Sequence, residues 1–308
     1  MQPDAFVPGR VMPQRGPYVA AMRTFSFVSA DGTRLRGWRY GAGGPPVVLS
    51  NGLGAPAEAW PGISDADSGF DVVGWDHRGL GGSERPTDPT RIQVEQHAED
   101  LRALMDAVGM PRALVVGWSI GVNVGFDVAL SAPDRVAGVL AVAGVPGGTF
   151  HSLFGPTPLP RRWRPAAGLL AARALAHVGP GVRLVARLLP PPTAWGPDAG
   201  LGGSARRYAE ASTSALQAFA AHDWRWYAEL VRAAEQHVPM DLSSLTCPVT
   251  MIGGSFDLLA SDKDMRTASR GIPDARYLTL PGSHYLPLEY PAVLRHELRS
   301  LADRATWP

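Results

Sequence analysis

The stretch Ala113-Leu114-Val115-Val116-Gly117-Trp118-Ser119-Ile120-Gly121-Val122-Asn123-Val124-Gly125-Phe126 decides the reading of this chain. It is a short apolar run, a serine with a glycine two residues to either side, and a second apolar segment. Physically this is a buried strand, a sharp turn and a helix. A G-x-S-x-G pattern in that setting is a nucleophile elbow, a tight turn that lifts a serine hydroxyl above the edge of a sheet. The two glycines leave room where the strand and helix backbones crowd together. Five residues alone are a weak signal in a chain with 35 glycines, and a plain Gly-Ser loop would match as well. The surroundings of the motif carry the argument.

Outward from the elbow, the same alternation repeats. Thr24 to Val28 and Arg34 to Tyr40 alternate apolar and polar residues across the turn Ala30-Asp31-Gly32, as paired strands do. Val47-Val48-Leu49-Ser50 and Phe70 to Trp75 are short continuous apolar runs, expected of strands covered on both faces. Gln93 to Val108 has helical spacing and stops at Gly109, and the elbow helix runs to Leu130. Val136 to Val142, Val249 to Ile252 and Arg276 to Leu280 complete eight strands, and Leu288 to Leu301 reads as a closing helix. Strands alternating with helices imply an α/β fold with a mostly parallel sheet and right-handed crossovers. Between Pro146 and Met240 no strand is expected. Prolines at 156, 158, 160, 165 and 190–192 punctuate helical pieces there, and longer helices are expected from Ala205 to Ala221 and from Trp224 to His237. The expected division is therefore a core of residues 1–145 and 241–308 with a helical cap of residues 146–240 inserted.

A serine hydroxyl needs a base within hydrogen-bond reach, and that base needs an orienting partner. Among eight histidines, His284 stands in the turn Pro281-Gly282-Ser283-His284, directly after the last strand. That is the sheet edge that carries Ser119, and ligands of open α/β sheets bind outside that edge. The other seven histidines read as solvated or partly packed. Asp257 follows the strand Val249 to Ile252 and the loop Gly253 to Phe256, at the same edge. Asp262 and Asp264, further along, read as solvated charges. The order serine, acid, histidine is that of one known triad lineage. A tetrahedral intermediate also needs backbone N–H donors. Ile120, next to the serine, is one, and Leu53 in the loop Asn51-Gly52-Leu53-Gly54 is the expected second.

Composition bounds the rest. A chain of 308 residues, 45% hydrophobic and 19% charged, has the balance of a soluble globular protein. A net charge of +1 gives no general attraction to nucleic acid. Cys247 is the single cysteine, which excludes an internal disulfide and a thiolate metal cluster. The beginning, Met1 to Phe6, has neither the basic nor the apolar region of a signal peptide, and no apolar run has the length of a membrane span. The expectation is a cytoplasmic protein without stable membrane insertion, without metal or organic cofactor, acting on a small molecule. Oligomeric state is left open.

Five segments, Asn51 to Gly54, Asp76 to Ser83, Gly117 to Gly121, Gly254 to Asp257 and Gly282 to His284, occur in an order that resembles the α/β-hydrolase-fold superfamily, in its lidded esterase, lipase and epoxide-hydrolase-like group. The resemblance implies an eight-stranded sheet flanked by helices and a helical cap over the site. It also implies that the Asp-x-Arg-Gly-x-Gly-x-Ser segment from Asp76 to Ser83 is structural. Many relatives have His-Gly where this chain has Asn51-Gly52, which bears on the shape of that loop. Epoxide hydrolases and haloalkane dehalogenases of the group use an aspartate nucleophile. Serine at position 119 instead implies acyl chemistry.

The expected cap is basic between His151 and Ala199, with Arg161, Arg162, Arg164, Arg173, Arg183 and Arg187 against Asp198 alone. These arginines either attract an anion or lay apolar stems along helix faces with solvated heads; the second is the commoner use. Trp163, Trp195, Trp224, Trp226 and Tyr227 either pack the cap on the core or line an apolar pocket. Trp118, Trp163, Trp195, Trp224 and Tyr285 are the expected pocket residues. The resulting expectation is a serine hydrolase cleaving a carboxylic ester of a small or medium apolar substrate. The alternatives are a C–C bond hydrolase, thioesterase, acyltransferase or cofactor-free perhydrolase with the same triad, or a non-catalytic ligand-binding protein on the same fold.

Overall fold

In the computed structural model, the described residues are 22–41, 43–65, 68–174, 177 and 217–307. Eight strands form one sheet: β1 Arg23–Val28, β2 Arg34–Tyr40, β3 Pro46–Ser50, β4 Asp71–Trp75, β5 Ala113–Trp118, β6 Val136–Val142, β7 Val249–Gly254 and β8 Ala275–Leu280. Their order across the sheet is β1-β2-β4-β3-β5-β6-β7-β8. β2 pairs antiparallel with β1 and β4, and every other pairing is parallel. All eight strands stand where the alternating and continuous apolar runs place them.

The continuous runs are buried for the expected reason. Every residue of β5, β6 and β7 is buried, because helices cover both faces of the sheet. Alternate residues divide between two cores. Val48, Val115, Val139 and Met251 face the side of helices α1 (Val94–Ala107) and α2 (Ile120–Ser131). Leu49, Leu114, Leu140 and Ile252 face the other side, where Leu294, Leu298 and Leu301 meet them. Each fully buried aliphatic side chain contributes about 1.5–3 kcal/mol relative to exposure. α1 begins on a capping box between Gln93 and Gln96, and Gly109, just past its C-cap Val108, has a φ of +69° that suits glycine.

Between β6 and β7 the described residues contain no strand. This insertion holds α3 (Thr149–Ser152), helical residues 164–174, helical residues 217–220 and α4 (Trp224–Glu235). Most of the expected helix from Ala205 to Ala221 lies outside the described residues, as do Arg183, Arg187, Trp195 and Asp198. Asp223 caps α4, accepting from the N–H groups of Arg225 (3.0 Å) and Trp226 (3.4 Å). The chain enters and leaves the insertion side by side. Gly148 N–H donates to the His237 carbonyl (2.9 Å), and Met240 N–H donates to that of Pro146 (3.2 Å). After β7 come α5 (Asp262–Ser269), α6 (Leu286–Glu289) and α7 (Pro291–Arg304). The single closing helix expected from Leu288 to Leu301 is thus two, broken at Tyr290. Pro291 cannot donate a helical hydrogen bond and so begins a helix instead of continuing one. No helix among the described residues is long and apolar enough to cross a membrane.

Candidate functional site

Parallel pairing brings the C-terminal ends of β3, β5, β7 and β8 to one edge. Ser50 pairs with Gly117, Trp118 with Val142, and Gly254 with Leu280. The loop after each strand end delivers one part of the site.

β5 delivers Ser119, which sits between strand and helix at φ +57° and ψ −120°. That conformation is uncommon for a side-chain-bearing residue and costs of order 1–3 kcal/mol, held by its surroundings. The flanking glycines show what holds it. A Cβ on Gly121 would stand 1.8 Å from the Ser50 carbonyl oxygen, and one on Gly117 would stand 2.5 Å from the Gly121 carbonyl oxygen. Only bare backbone lets β3, β5 and α2 approach this closely. Ile120 opens α2, so its N–H is among the first-turn groups that lack an intrahelical acceptor.

β7 delivers Asp257, which is fully buried. Its Oδ1 accepts from the N–H groups of Leu259 (2.7 Å) and Ala260 (2.9 Å). Its carboxylate also meets Nδ1 of His284, at 2.9 Å from Oδ2 and 3.1 Å from Oδ1. A carboxylate is an acceptor only, so Nδ1 carries the proton that it donates to Asp257. Asp262 and Asp264 are not the solvated charges expected. Asp262 Oδ1 accepts from the hydroxyls of Tyr277 (2.7 Å) and Thr279 (2.6 Å), and Asp264 meets Arg161 at 3.3 Å. Neither contacts His284.

β8 delivers His284, itself buried. Two groups hold its turn. Glu289 accepts from Ser283 N–H (2.8 Å) and from its hydroxyl (2.5 Å). Trp118 Nε1–H donates to the His284 carbonyl (2.9 Å), tying the histidine turn directly to the residue before Ser119. Neither tether was readable in advance, because each joins residues far apart in sequence or in an irregular turn. The indole of Trp118 also packs edge-on against Trp60 and Tyr285. The Ser119 hydroxyl makes no hydrogen bond among the described residues.

β3 delivers the loop from Asn51 to Gly54. Asn51 is buried. Its amide donates to the Ala55 carbonyl (2.9 Å), and its oxygen accepts from Trp60 Nε1 (2.5 Å). The asparagine therefore shapes this loop through its side chain. Ala55 N–H closes a turn onto the Gly52 carbonyl (2.9 Å), with Gly54 at φ +74° in its third position. Leu53 N–H has no partner among the described residues and belongs to the first peptide of that turn.

α4 and the residues before it cover this loop. Phe219, His222, Trp224 and Tyr227 form an aromatic cluster, in which His222 stacks on Tyr227 at 6.1 Å and 13°. Burial lowers the pKa of His222 and raises that of Tyr227, so both are neutral near pH 7. Of the expected pocket residues, Trp118 and Trp224 are buried, Tyr285 is half-exposed beside His284, and Trp163 is largely exposed. Trp195 lies outside the described residues. Three other histidines depart from the solvated or partly packed expectation, since His77, His97 and His222 are all buried. Burial pushes the His77 imidazole down to about 3.

The segment from Asp76 to Ser83 is a structural unit, as the resemblance implies. Asp76 Oδ2 accepts from Gly82 N–H (2.8 Å), and Ser83 Oγ donates to the Asp76 carbonyl (2.6 Å). Arg78 is fully buried between Asp31 and Asp100. No group of three or more metal-ligating side chains occurs among the described residues.

Known proteins resemble this chain. The chain is 40% identical over 111 residues to "Putative carbamate hydrolase RutD" of Caulobacter segnis, which is 36% of this chain and 41% of that protein. It is 38% identical over 125 residues to epoxide hydrolase A of Mycobacterium tuberculosis, 39% of this chain and 38% of that one. The matches thus span about two fifths of the length of these relatives. The enol-lactonase of Burkholderia xenovorans superposes with a TM-score of 0.69 at 24% identity, covering 90% of this chain and 99% of that one. A thermophilic esterase of Thermogutta terrifontis gives 0.68 at 20% identity, covering 92% and 100%. At these identities the superpositions speak for the fold. The model of the alpha/beta hydrolase fold family matches residues 45–291, and the chain belongs to that family.

Proposed function

We propose that the protein is a serine hydrolase that cleaves a carboxylic ester of a small or medium apolar substrate. The observation that carries this reading is His284, its Nδ1 bound to the buried Asp257 and its backbone tied to Trp118, the residue that precedes a serine held at positive φ. Ser119 Oγ attacks the ester carbonyl carbon while Nε2 of His284 takes the hydroxyl proton. The carbonyl electron pair moves onto oxygen, where the N–H groups of Leu53 and Ile120 receive it. Collapse of this intermediate breaks the C–O bond, and His284 returns the proton to the departing alcohol. Water then repeats the sequence on the acyl-enzyme. Asp257 holds the imidazolium and fixes its tautomer. The free Ser119 hydroxyl closes onto Nε2 when substrate binds, since such contacts are commonly long in unliganded sites.

Trp118 and Tyr285 supply apolar surface beside the reacting atoms, in keeping with an apolar acyl group. The helical insertion of residues 146–240 serves as the cap. The relatives named as carbamate hydrolases fit the same chemistry, since a carbamate carbonyl passes through the same tetrahedral intermediate. The name epoxide hydrolase does not transfer, because an alkyl-ester intermediate needs a carboxylate where this chain has Ser119.

The test is a fluorophosphonate probe with the adduct mapped by mass spectrometry, beside a chain-length series of aryl esters and aryl carbamates. Labelling at Ser119 and ester turnover lost in Ser119→Ala are expected. Absence of a Ser119 adduct on folded protein, or full turnover by Ser119→Ala, refutes the reading.

A further inference from the structure

The loop that carries Leu53 is held from outside by two side chains of the helical insertion. His222 Nε2 lies 2.7 Å from the Gly54 carbonyl oxygen, and the Tyr227 hydroxyl donates to the Leu53 carbonyl at 3.3 Å. Because the Gly54 carbonyl can only accept, His222 Nε2 carries a proton and donates. These are the two carbonyls that follow the Leu53 N–H along the chain. The peptide preceding them is fixed from inside, by Ala55 N–H on the Gly52 carbonyl. Three successive carbonyls, of Gly52, Leu53 and Gly54, are therefore engaged, and the N–H of Leu53 is left to point elsewhere.

The contact is close as well as polar. A Cβ on Gly54 would meet His222 Nε2 at 2.6 Å and Tyr227 Cε2 at 3.2 Å. Gly54 is thus a glycine for two reasons: its positive φ, and the seat it makes for the imidazole. His222 is buried and stacked on Tyr227, and Phe219 packs edge-on against both rings. Two donors held in one aromatic stack move together. They cannot leave the loop without the insertion moving, and the loop cannot re-aim its peptides while they stay.

We propose that His222 and Tyr227 are positioning residues for the oxyanion donor at Leu53, so that the catalytic apparatus of the core is complete only when the helical insertion is seated on it. This rests on the serine hydrolase reading above. An oxyanion donor acts by being pre-aimed, and loss of one such donor costs roughly 100- to 1,000-fold in rate. Release of a clamp misaims the donor without removing it, so the effect is a fraction of that loss.

Three variants of the full chain test it: His222→Phe keeps a ring in the stack and removes the donor, His222→Gln restores an N–H donor, and Tyr227→Phe removes only the hydroxyl. Stopped-flow acylation with p-nitrophenyl butyrate gives the acylation rate and the substrate affinity separately. Binding of a trifluoromethyl ketone, which forms a tetrahedral adduct on the serine, reads the oxyanion site itself. His222→Phe is expected to lower the acylation rate roughly 10- to 100-fold at unchanged substrate affinity, and ketone affinity by the same factor. Tyr227→Phe should lose about 3- to 10-fold, and His222→Gln should come back to within about threefold of wild type, as a restored hydrogen bond predicts. Wild-type acylation rates in both His222→Phe and Tyr227→Phe overturn the proposal. So does a rate loss in His222→Phe without a matching loss of ketone affinity, which would make the residue merely structural. Failure of wild-type Ser119 to take the ketone or a fluorophosphonate would instead overturn the serine hydrolase reading, so the two failures are separable.

Discussion

Replacing Arg78 by methionine, which keeps volume and removes charge, tests whether the Asp76–Ser83 segment holds the fold. Arg78 is fully buried, and its guanidinium spends all five N–H groups. They go to Asp100 twice (2.6 and 2.8 Å), to Asp31, to Ser29 Oγ (3.0 Å) and to the Arg91 carbonyl (3.1 Å). Methionine would leave Asp100 fully buried with His97, at 3.6 Å, as its remaining ion-pair neighbour among the described residues. Removing one member of a buried pair costs about 3–5 kcal/mol. For a chain of this size that is a fall in Tm of roughly 6–20 °C, at about 2–4 °C per kcal/mol. Its pH dependence is distinctive. In the native protein, burial pushes Asp100 upward, but the nearby His97 and the hydrogen bonds from Arg78 outweigh it and hold the carboxyl below its usual range. A depressed carboxyl contributes stability above its unfolded pKa that is lost as pH falls through the folded one. Without Arg78 the buried carboxyl is raised and takes up a proton as the medium becomes acidic, which relieves the variant. The gap between wild type and Arg78→Met should therefore be widest near pH 8 and narrow steadily below about pH 6. Urea unfolding followed by tryptophan fluorescence at several pH values measures it. A loss under about 1 kcal/mol near pH 8, or a gap that does not narrow, refutes the reasoning.

Three further outcomes follow from the same geometry. Gly121→Ala places a methyl 1.8 Å from the Ser50 carbonyl oxygen and is expected to cost more than about 3 kcal/mol or to prevent folding, as read by soluble yield and urea midpoint. His77→Phe removes a buried imidazole held near 3, against 6.5 when free. A depressed pKa gives stability present above 6.5 and lost as pH falls toward 3, so the variant should lose about 1.4 kcal/mol less per pH unit between pH 6 and 4. An equal acid slope in wild type and variant would contradict this. Trp118→Phe removes the donor to the His284 carbonyl; acylation should slow roughly tenfold for a stability loss of about 1 kcal/mol, and an unchanged rate in stopped flow would deny the tether a role.

What the sequence made legible was whatever local pattern dictates. The run from Ala113 to Trp118 is apolar without a break because both faces of β5 are covered, so strand and elbow were readable together. The placement of Asp257 and His284 at one sheet edge was readable because each follows, after a short loop, a strand whose end is fixed by parallel pairing. Long-range pairing was not legible. Asp262 read as a solvated charge because Tyr277 and Thr279, which hydrogen-bond it, come from the next strand. His77 and His97 carry no local mark of burial; they meet ring to ring, 5.0 Å apart, only after β4 and α1 have packed. The break at Tyr290 was hidden by apolar spacing that runs across it, although Pro291 announced it. In the insertion, prolines cut the helical period into pieces too short to assign faces, so its contacts with the core came from coordinates alone.

Four of those contacts have a common chemistry. Trp226 Nε1–H donates to the Arg78 carbonyl (2.8 Å), His222 to that of Gly54 (2.7 Å), Tyr227 to that of Leu53 (3.3 Å), and Phe154 N–H to that of Leu258 (2.6 Å). In each case the insertion supplies the donor and the core supplies a backbone carbonyl. A carbonyl is present whatever side chain the core residue bears, so these four contacts depend on the insertion's donors and on backbone clearance in the core. Gly79 shows the clearance, since a Cβ there would stand 2.2 Å from Trp226 Nε1. At these four contacts the two sides are therefore unequally sensitive to substitution. Leu53→Val, which keeps the carbonyl, should leave docking intact, while Trp226→Phe or Gly79→Ala, which remove a donor or its seat, should loosen it. The three carbonyls met by α4 and its approach lie in the loop after β3 and the turn after β4. Loosening at Trp226 should therefore reach Leu53 through a helix that also contacts the proposed oxyanion loop, by way of Tyr227.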